Sequence, residues 1–413
     1  MPMFKKVDAC RVCEGMLTEV LAYEPLPLVN SYCDPEPHED DYYPLTLMVC
    51  KRCDLVQVRE EVPENVLYLR EYPYVPSTSQ TMVQHFDELA AAYAKPGQLV
   101  VDIGSSDGTL LSCFQKRGCE VFGIDPAKNL VQVANERGIP SIAECFDDSV
   151  AEWLETWLGD RIAEWAGKKP EVHFSLPHRP DVITATNVVA NAHQMMSFLR
   201  GVRRLLKPDG VFVMETPNFL KLMELGSYDS VYHEHMVYFT PATLEKALKV
   251  AGLTMVRLEE IPIHGGSLRA TVKVGEERLR WLDGTTDFGA FVKRVDGVRH
   301  ALQVFLRQAS LDGKSVVGYT APAKATVLLS QAGMDPSWMQ YAVDNIPYKQ
   351  GKLLPGLHIE IRPPEALDEG PVPDYLLVHA WNFRDEILPK LQPYMAAGAQ
   401  AVIPVPRLEV LDG

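Results

Sequence analysis

No apolar run in this chain of 413 residues approaches the ~20 residues that a membrane-spanning helix needs, and none follows Lys5-Lys6 as a leader would. The expectation is a cytoplasmic protein with no membrane partner. Basic residues are in deficit: 40 Lys and Arg face 55 Asp and Glu, a formal net charge of −15. A surface that neutralises phosphates needs the opposite balance, so no nucleic-acid partner is expected, and an anionic ligand would need a local basic pocket. Gly-x-Gly-x-x-Gly is missing from the glycine turn after Leu99, and H-E-x-x-H from the histidine run after Tyr232. A nicotinamide site and a helical zinc site therefore lack their signatures. What remains is 46% hydrophobic residues, enough for full cores in two or three domains.

Eight cysteines in such a chain do not make a disulfide framework, but their spacing is informative. Cys10-Arg-Val-Cys13 and Cys50-Lys-Arg-Cys53 are two C-x-x-C pairs. Each clips one edge of a tetrahedral Zn²⁺, and four thiolates close the shell, which makes the ion structural. Cys33, Cys113, Cys119 and Cys145 have no such pairing and read as small core residues. The prolines and acidic turn between the two pairs predict a module with little regular core of its own. A loop rich in aromatics and hydroxyls, with Tyr72, Tyr74, Ser77, Thr78 and Ser79, leads into a helix over 80–93. Its tyrosines suit either packing or a pocket wall.

Leu99-Val-Val-Asp-Ile-Gly-Ser-Ser-Asp-Gly-Thr-Leu-Leu111 reads as a buried strand, a tight turn and a helix start. Glycine serves where dihedrals are unusual or a ligand approaches closely, and the helix start offers unpaired N–H groups. A second strand, 120–125, ends in Asp125, where a carboxylate meets a nucleotide's ribose. This pattern resembles the class I S-adenosylmethionine methyltransferases. Alternating strand and helix signals run on to about residue 275, with a surface insertion over 159–180. A long helix over 285–310 precedes a second strand–turn–helix unit beginning at Ser315. Lys324, beside that unit's helix start, reads as a solvated lysine, with a phosphate contact as the alternative.

Between the fifth strand and the next helix lie Tyr232, His233, Glu234 and His235. Histidine is the natural base near neutral pH, and an adjacent carboxylate can orient it. With these residues added, the chain resembles the sugar C-3 methyltransferases that act on nucleotide-linked 4-keto deoxysugars. The likeness covers essentially the whole length. It rests on the four paired cysteines, Tyr72-Pro-Tyr-Val-Pro-Ser-Thr-Ser79, Asp102-Ile-Gly-Ser-Ser-Asp-Gly108, Tyr232-His-Glu-His235 and His264-Gly-Gly-Ser-Leu-Arg269. It continues through Ala321-Pro-Ala-Lys324, Asp344-Asn-Ile-Pro-Tyr-Lys-Gln-Gly351, Leu354-Pro-Gly356 and Trp381-Asn382.

The resemblance implies an α/β protein of three parts. These are an N-terminal zinc-binding module (1–75), a central class I methyltransferase (Rossmann-like) domain (76–284) and a C-terminal α/β Rossmann-like domain (285–413). It places S-adenosylmethionine at Asp102, Gly104, Ser105, Gly108, Asp125 and Asn187, and structural zinc at Cys10, Cys13, Cys50 and Cys53. It places the nucleotide-linked keto sugar at Tyr72, Ser77, Thr78, Ser79, His264 and Lys324. His235 is the expected base, with Tyr232 and Glu234 orienting it or the sugar and Tyr74 lining the carbonyl side. The implied reaction is methylation of a carbon next to the ketone through an enolate, in a monomer or small homo-oligomer. One position departs from the pattern: Asn191 stands where the family usually has a histidine, and it can donate a hydrogen bond but carry no charge.

Overall fold

The computed structural model describes residues 3–35, 40–68, 72–73, 75–156, 179–275 and 286–413. Tyr74, most of the expected 159–180 insertion and the expected boundary at 284/285 lie outside them.

A seven-stranded sheet fills the centre. Its order is Leu253–Ile261, Ser267–Val274, Val211–Pro217, Val182–Thr186, Leu99–Ile103, Glu120–Ile124, Ser141–Ile142. Ser267–Val274 is antiparallel to both neighbours, and the remaining neighbour pairs are parallel. Side chains alternate across a strand, so a continuous apolar run feeds two cores. Val100, Val121, Val182 and Val213 form a row on one face with Leu89, Leu110 and Phe114. Leu99, Val101, Ile103, Phe122, Ile124 and Ile183 enter the core on the other. The chain moves outward from Leu99–Ile103 through two strands and then returns to Val182–Thr186 on the opposite side. That reversal opens a crevice at the strands' carboxyl ends. The helix Gln80–Tyr93 spans the predicted residues because the Ser79 hydroxyl accepts from the Met82 N–H and caps it.

The C-terminal sheet has the order Ile361–Arg362, Tyr341–Val343, Val316–Tyr319, Tyr375–Val378, Gln400–Ile403, Glu409–Leu411, parallel except for the last strand. The helix Phe288–Leu311 packs Val298, Leu302 and Leu306 into the same core.

The N-terminal part has more regular structure than its prolines suggest, and little core of its own. It holds a four-stranded sheet, Val237–Tyr238, Val56–Val58, Tyr43–Cys50 and Leu17–Leu26. Leu21, Tyr23, Leu26, Leu45 and Leu47 join the core of the C-terminal sheet. Gln331 fastens the two together, accepting from the Glu24 N–H at 3.0 Å and donating to the Glu24 carbonyl at 3.0 Å. The module therefore has regular structure, but its core is shared. The outer strand, Val237–Tyr238, comes from the central part of the chain.

Candidate active site

One cavity of about 700 Å³ lies at the crevice of the central sheet, and the C-terminal unit closes its far side. Asp102, Gly104, Ser105, Asp125, Asn187 and Asn191 line its central-sheet side, and Tyr232, Glu234, His235 and His264 continue the wall. Tyr72, Thr78, Ser79 and Lys324 complete it. Ser77 and Gly108 do not line it. Gly108 instead starts the helix Thr109–Gln115 from a φ of 77°, with Ile139 packed where a side chain would go. Gly104 has a φ of 76°, and a Cβ there would collide with Val188.

On the central-sheet side, the Asp125 carboxylate accepts from the Ser106 N–H at 2.9 Å and the Ala127 N–H at 2.8 Å. Each oxygen keeps a lone-pair direction for a ligand hydroxyl. Burial pushes Asp125 above the usual carboxylate range and Asp102 up to about 7, although Thr184 donates to Asp102 at 2.6 Å. The buried Ser105 Oγ, Ser106 Oγ and Asn187 Oδ1 have no partner among the described residues. Buried polar atoms of this kind call for a polar ligand. The wall therefore fits a polar ligand that brings hydroxyl or amino donors to Asp125 and Asn187.

On the acceptor side, the His235 Nδ1–H donates to the Ser230 carbonyl at 2.9 Å. A carbonyl only accepts, so Nε2 is the nitrogen left with a lone pair. Burial, aided by nearby Lys324, lowers the ring to about 4 and keeps it neutral. Tyr232 packs against it with centroids 4.0 Å apart and ring planes tilted by 36°. Glu234 does not orient His235. Its carboxylate accepts from Asn30 at 2.7 Å and Tyr72 at 2.8 Å, and burial raises it to about 7. His233 points away and donates to the Pro44 carbonyl at 3.0 Å.

Lys324 is not a solvated lysine: it is half-buried in the cavity wall, 5.0 Å from the Trp381 ring. Burial lowers its ammonium, and Asp229 pulls the other way. Thr78 and Ser79 direct their hydroxyls to the Val75 carbonyl and Glu386, so they meet the cavity as wall rather than as free donors. Asn191 donates to the Asn187 carbonyl at 3.0 Å. Asn30 and the Ser230 carbonyl were missed from the sequence. Asn30 belongs to no motif, and a backbone carbonyl leaves no trace in residue type.

Outside the cavity lining, Cys10, Cys13, Cys50 and Cys53 bring their sulfurs within 4.8 Å of one another. The Cys10–Cys53 and Cys13–Cys50 pairs are each 3.5 Å apart. The contact between Cys10 and Cys53 lowers the first thiol and raises the second, as for two sulfurs that share one proton. Four converging sulfurs fit Zn²⁺ with no open position. Of the other cysteines, Cys113 and Cys119 are buried as expected. Cys33 and Cys145 are only half-buried, and Cys145 lines the cavity.

A doubly wound sheet with this carboxylate and glycine arrangement at its switch point, beside a neutral histidine, defines an S-adenosylmethionine-dependent methyltransferase. Domain families agree along the chain. Residues 10–68 match a zinc binding domain, 78–258 a methyltransferase domain and 262–406 a C-methyltransferase C-terminal domain. The chain is 31% identical to the C-methyltransferase NovU of Streptomyces niveus, across 99% of this chain and 98% of that protein. It belongs to the C-methyltransferase family, with S-adenosylmethionine as methyl donor and zinc in its N-terminal part. A ubiquinone biosynthesis O-methyltransferase of Methylobacterium nodulans is 26% identical over 38% of this chain and 60% of its own length. Among solved structures, the Burkholderia thailandensis 1,6-didemethyltoxoflavin-N1-methyltransferase matches 48% of this chain and 81% of its own, at 18% identity and a TM-score of 0.32. Among the described residues no helix is long and apolar enough to cross a membrane.

Proposed function

We propose that this cavity methylates a carbon beside a ketone, C-3 of a nucleotide-linked 4-keto deoxysugar, through an enolate. The observation that carries the reading is His235, whose Nδ1–H is fixed on the Ser230 carbonyl so that a neutral Nε2 faces the cavity. Parts 1–75, 76–284 and 285–413 divide the work: the first carries zinc and Tyr72, the second the donor and the base, the third Lys324.

His235 Nε2 takes the proton from the carbon, and the electrons left behind move onto the ketone oxygen. A buried ring lowered to about 4 is a weak base when alone. An anionic substrate in the same cavity favours its protonated form and strengthens it. Tyr232 holds the ring by packing against it. Lys324 offers the positive charge that a developing enolate oxygen requires. Asp125, Asp102, Ser105 and Asn187 orient the donor on the opposite wall, with Gly104 leaving room for it. Bound S-adenosylmethionine supplies the electrophilic methyl group. Most of the acceleration then comes from holding two ligands in line. Asn191 has no titratable group and so cannot act as the base.

The test is a mass-shift screen with S-adenosylmethionine and a panel of nucleotide-linked keto sugars, with the product's methyl position read by NMR. His235→Asn is expected to keep cofactor affinity while turnover falls by about two to four orders of magnitude. A product methylated on nitrogen or oxygen, or full turnover in His235→Asn, would overturn the assignment.

A further inference from the structure

Two walls of the cavity that belong to different ligands are joined by one side chain outside both. Asn129 sits in the first turn of the helix Lys128–Glu136, four residues beyond Asp125. Its carboxamide grips the backbone of Tyr72 at two points. Oδ1 accepts from the Tyr72 N–H at 3.2 Å, and Nδ2 donates to the Tyr72 carbonyl at 3.1 Å. The Tyr72 hydroxyl in turn donates to Glu234 at 2.8 Å, and Asn30 donates to the other Glu234 oxygen at 2.7 Å. Tyr68 lies beside Tyr72 with ring centroids 6.1 Å apart and donates to the Glu234 backbone carbonyl at 3.4 Å.

At the near end of this chain, the helix start is tied to the donor wall. The Ala127 N–H is held by Asp125, and Asp125 also holds the Ser106 N–H. A ligand that engages Asp125 therefore fixes the turn from which Asn129 projects. At the far end stands Glu234, one residue from His235. The connection alternates hydrogen bonds with short stretches of covalent chain, and the two-point grip fixes both the position and the direction of the Tyr72 peptide.

We infer that Asn129 is a positioning residue through which an occupied donor site organises the acceptor wall at Tyr72 and Glu234. This rests on the donor and acceptor assignments above. The physical consequence is coupled binding: the donor orders Tyr72 beforehand, so the acceptor enters a wall already in place. Coupling between sites is reciprocal, so the acceptor must tighten donor binding by the same factor.

Hydrogen exchange on the whole protein tests this with S-adenosylhomocysteine as the probe, so no sugar need be identified. Saturating probe is expected to slow exchange in 125–131 and, by roughly fivefold or more, in 72–80. Asn129→Ala should keep the first protection and lose the second. Asn129→Asp, which still accepts from the Tyr72 N–H but cannot donate to its carbonyl, should fall between. Tyr72→Phe should leave protection of the Tyr72 backbone intact, because it cuts the chain beyond the grip. Wild type protected at 125–131 but not at 72–80 would overturn the coupling and leave the donor site standing, as would full protection of 72–80 in Asn129→Ala. A wild type protected at neither segment would overturn the donor site, and the coupling with it.

Discussion

The chain builds the same local architecture twice and uses it in opposite ways. In the central sheet a strand (Leu99–Ile103) leads through a turn to a helix, and the neighbouring strand ends in Asp125. In the C-terminal sheet Val316–Tyr319 leads through a turn to the helix Ala323–Gln331, and the neighbouring strand ends in Asp344. Asp125 is 7% exposed and Asp344 5%. Both accept from the backbone of their own turn, Asp125 from Ser106 and Asp344 from Ala321 at 2.7 Å. The difference is a cation. Lys349 places its ammonium 3.2 Å from Asp344 and 2.9 Å from the Ala321 carbonyl, so the second carboxylate is neutralised from within the chain, although Asp344 and Lys349 both line the same cavity. No lysine or arginine forms an ion pair with Asp125 among the described residues. The two carboxylates thus face the same cavity in different states: Asp344 is already paired, and Asp125 leaves its charge for a ligand to answer.

The comparison is most severely tested by Asp344→Asn. It strands the buried Lys349 ammonium and should destabilise the protein by about 3–5 kcal/mol in denaturant unfolding. A loss under 1 kcal/mol would show that Lys349 finds water or another partner. Asp125→Ala should act on binding instead. Losing a charged hydrogen bond to the ribose is worth on the order of 1.5–3 kcal/mol, so calorimetry should read S-adenosylhomocysteine affinity down by roughly ten- to a hundredfold. Unchanged affinity would mean the carboxylate only shapes its turn.

The smallest effect has the opposite sign. Asp102 is raised to about 7 by burial with no ion-pair partner among the described residues, so the ligand-free fold binds its proton more tightly than the unfolded chain does. That group costs stability as pH rises from about 4 to about 7. Asp102→Asn should therefore stabilise the ligand-free protein by on the order of 1–2 kcal/mol above pH 7, with the gain vanishing near pH 4. A pH-independent difference in melting temperature would remove the distinction between the two sheets.

How much of this could be read from residues alone depended on range. The central strands were legible because burial on both faces forces unbroken apolar runs such as Leu99-Val-Val. The helix at Gln80 was legible because its cap lies one residue before it. The four paired cysteines were legible as a zinc set, since chelation needs little beyond spacing. The partners of Glu234 were not: Asn30 and Tyr72 lie 204 and 162 residues away, and no local pattern joins them. Lys324 was misread because its burial is set by the cavity around it and leaves no mark on its neighbours in sequence. The strand Val237–Tyr238 is two residues long and carries no period that could announce it.

That short strand also sets a timetable for synthesis. Val56–Val58 hydrogen-bonds to Tyr43–Cys50 on one side, but its other edge is covered only when Val237–Tyr238 arrives about 180 residues later. At ~5–20 residues per second, a ribosome leaves that edge open for roughly ten to forty seconds. An open strand edge invites pairing with other chains. The sequence around it is protected in two ways. Arg59, Glu60 and Glu61 follow the strand at once, and the zinc cysteines, all of which precede it, are complete by residue 53, long before the edge is closed. Four thiolates that converge this early in the chain let a metal hold the nascent hairpin in register while the edge waits.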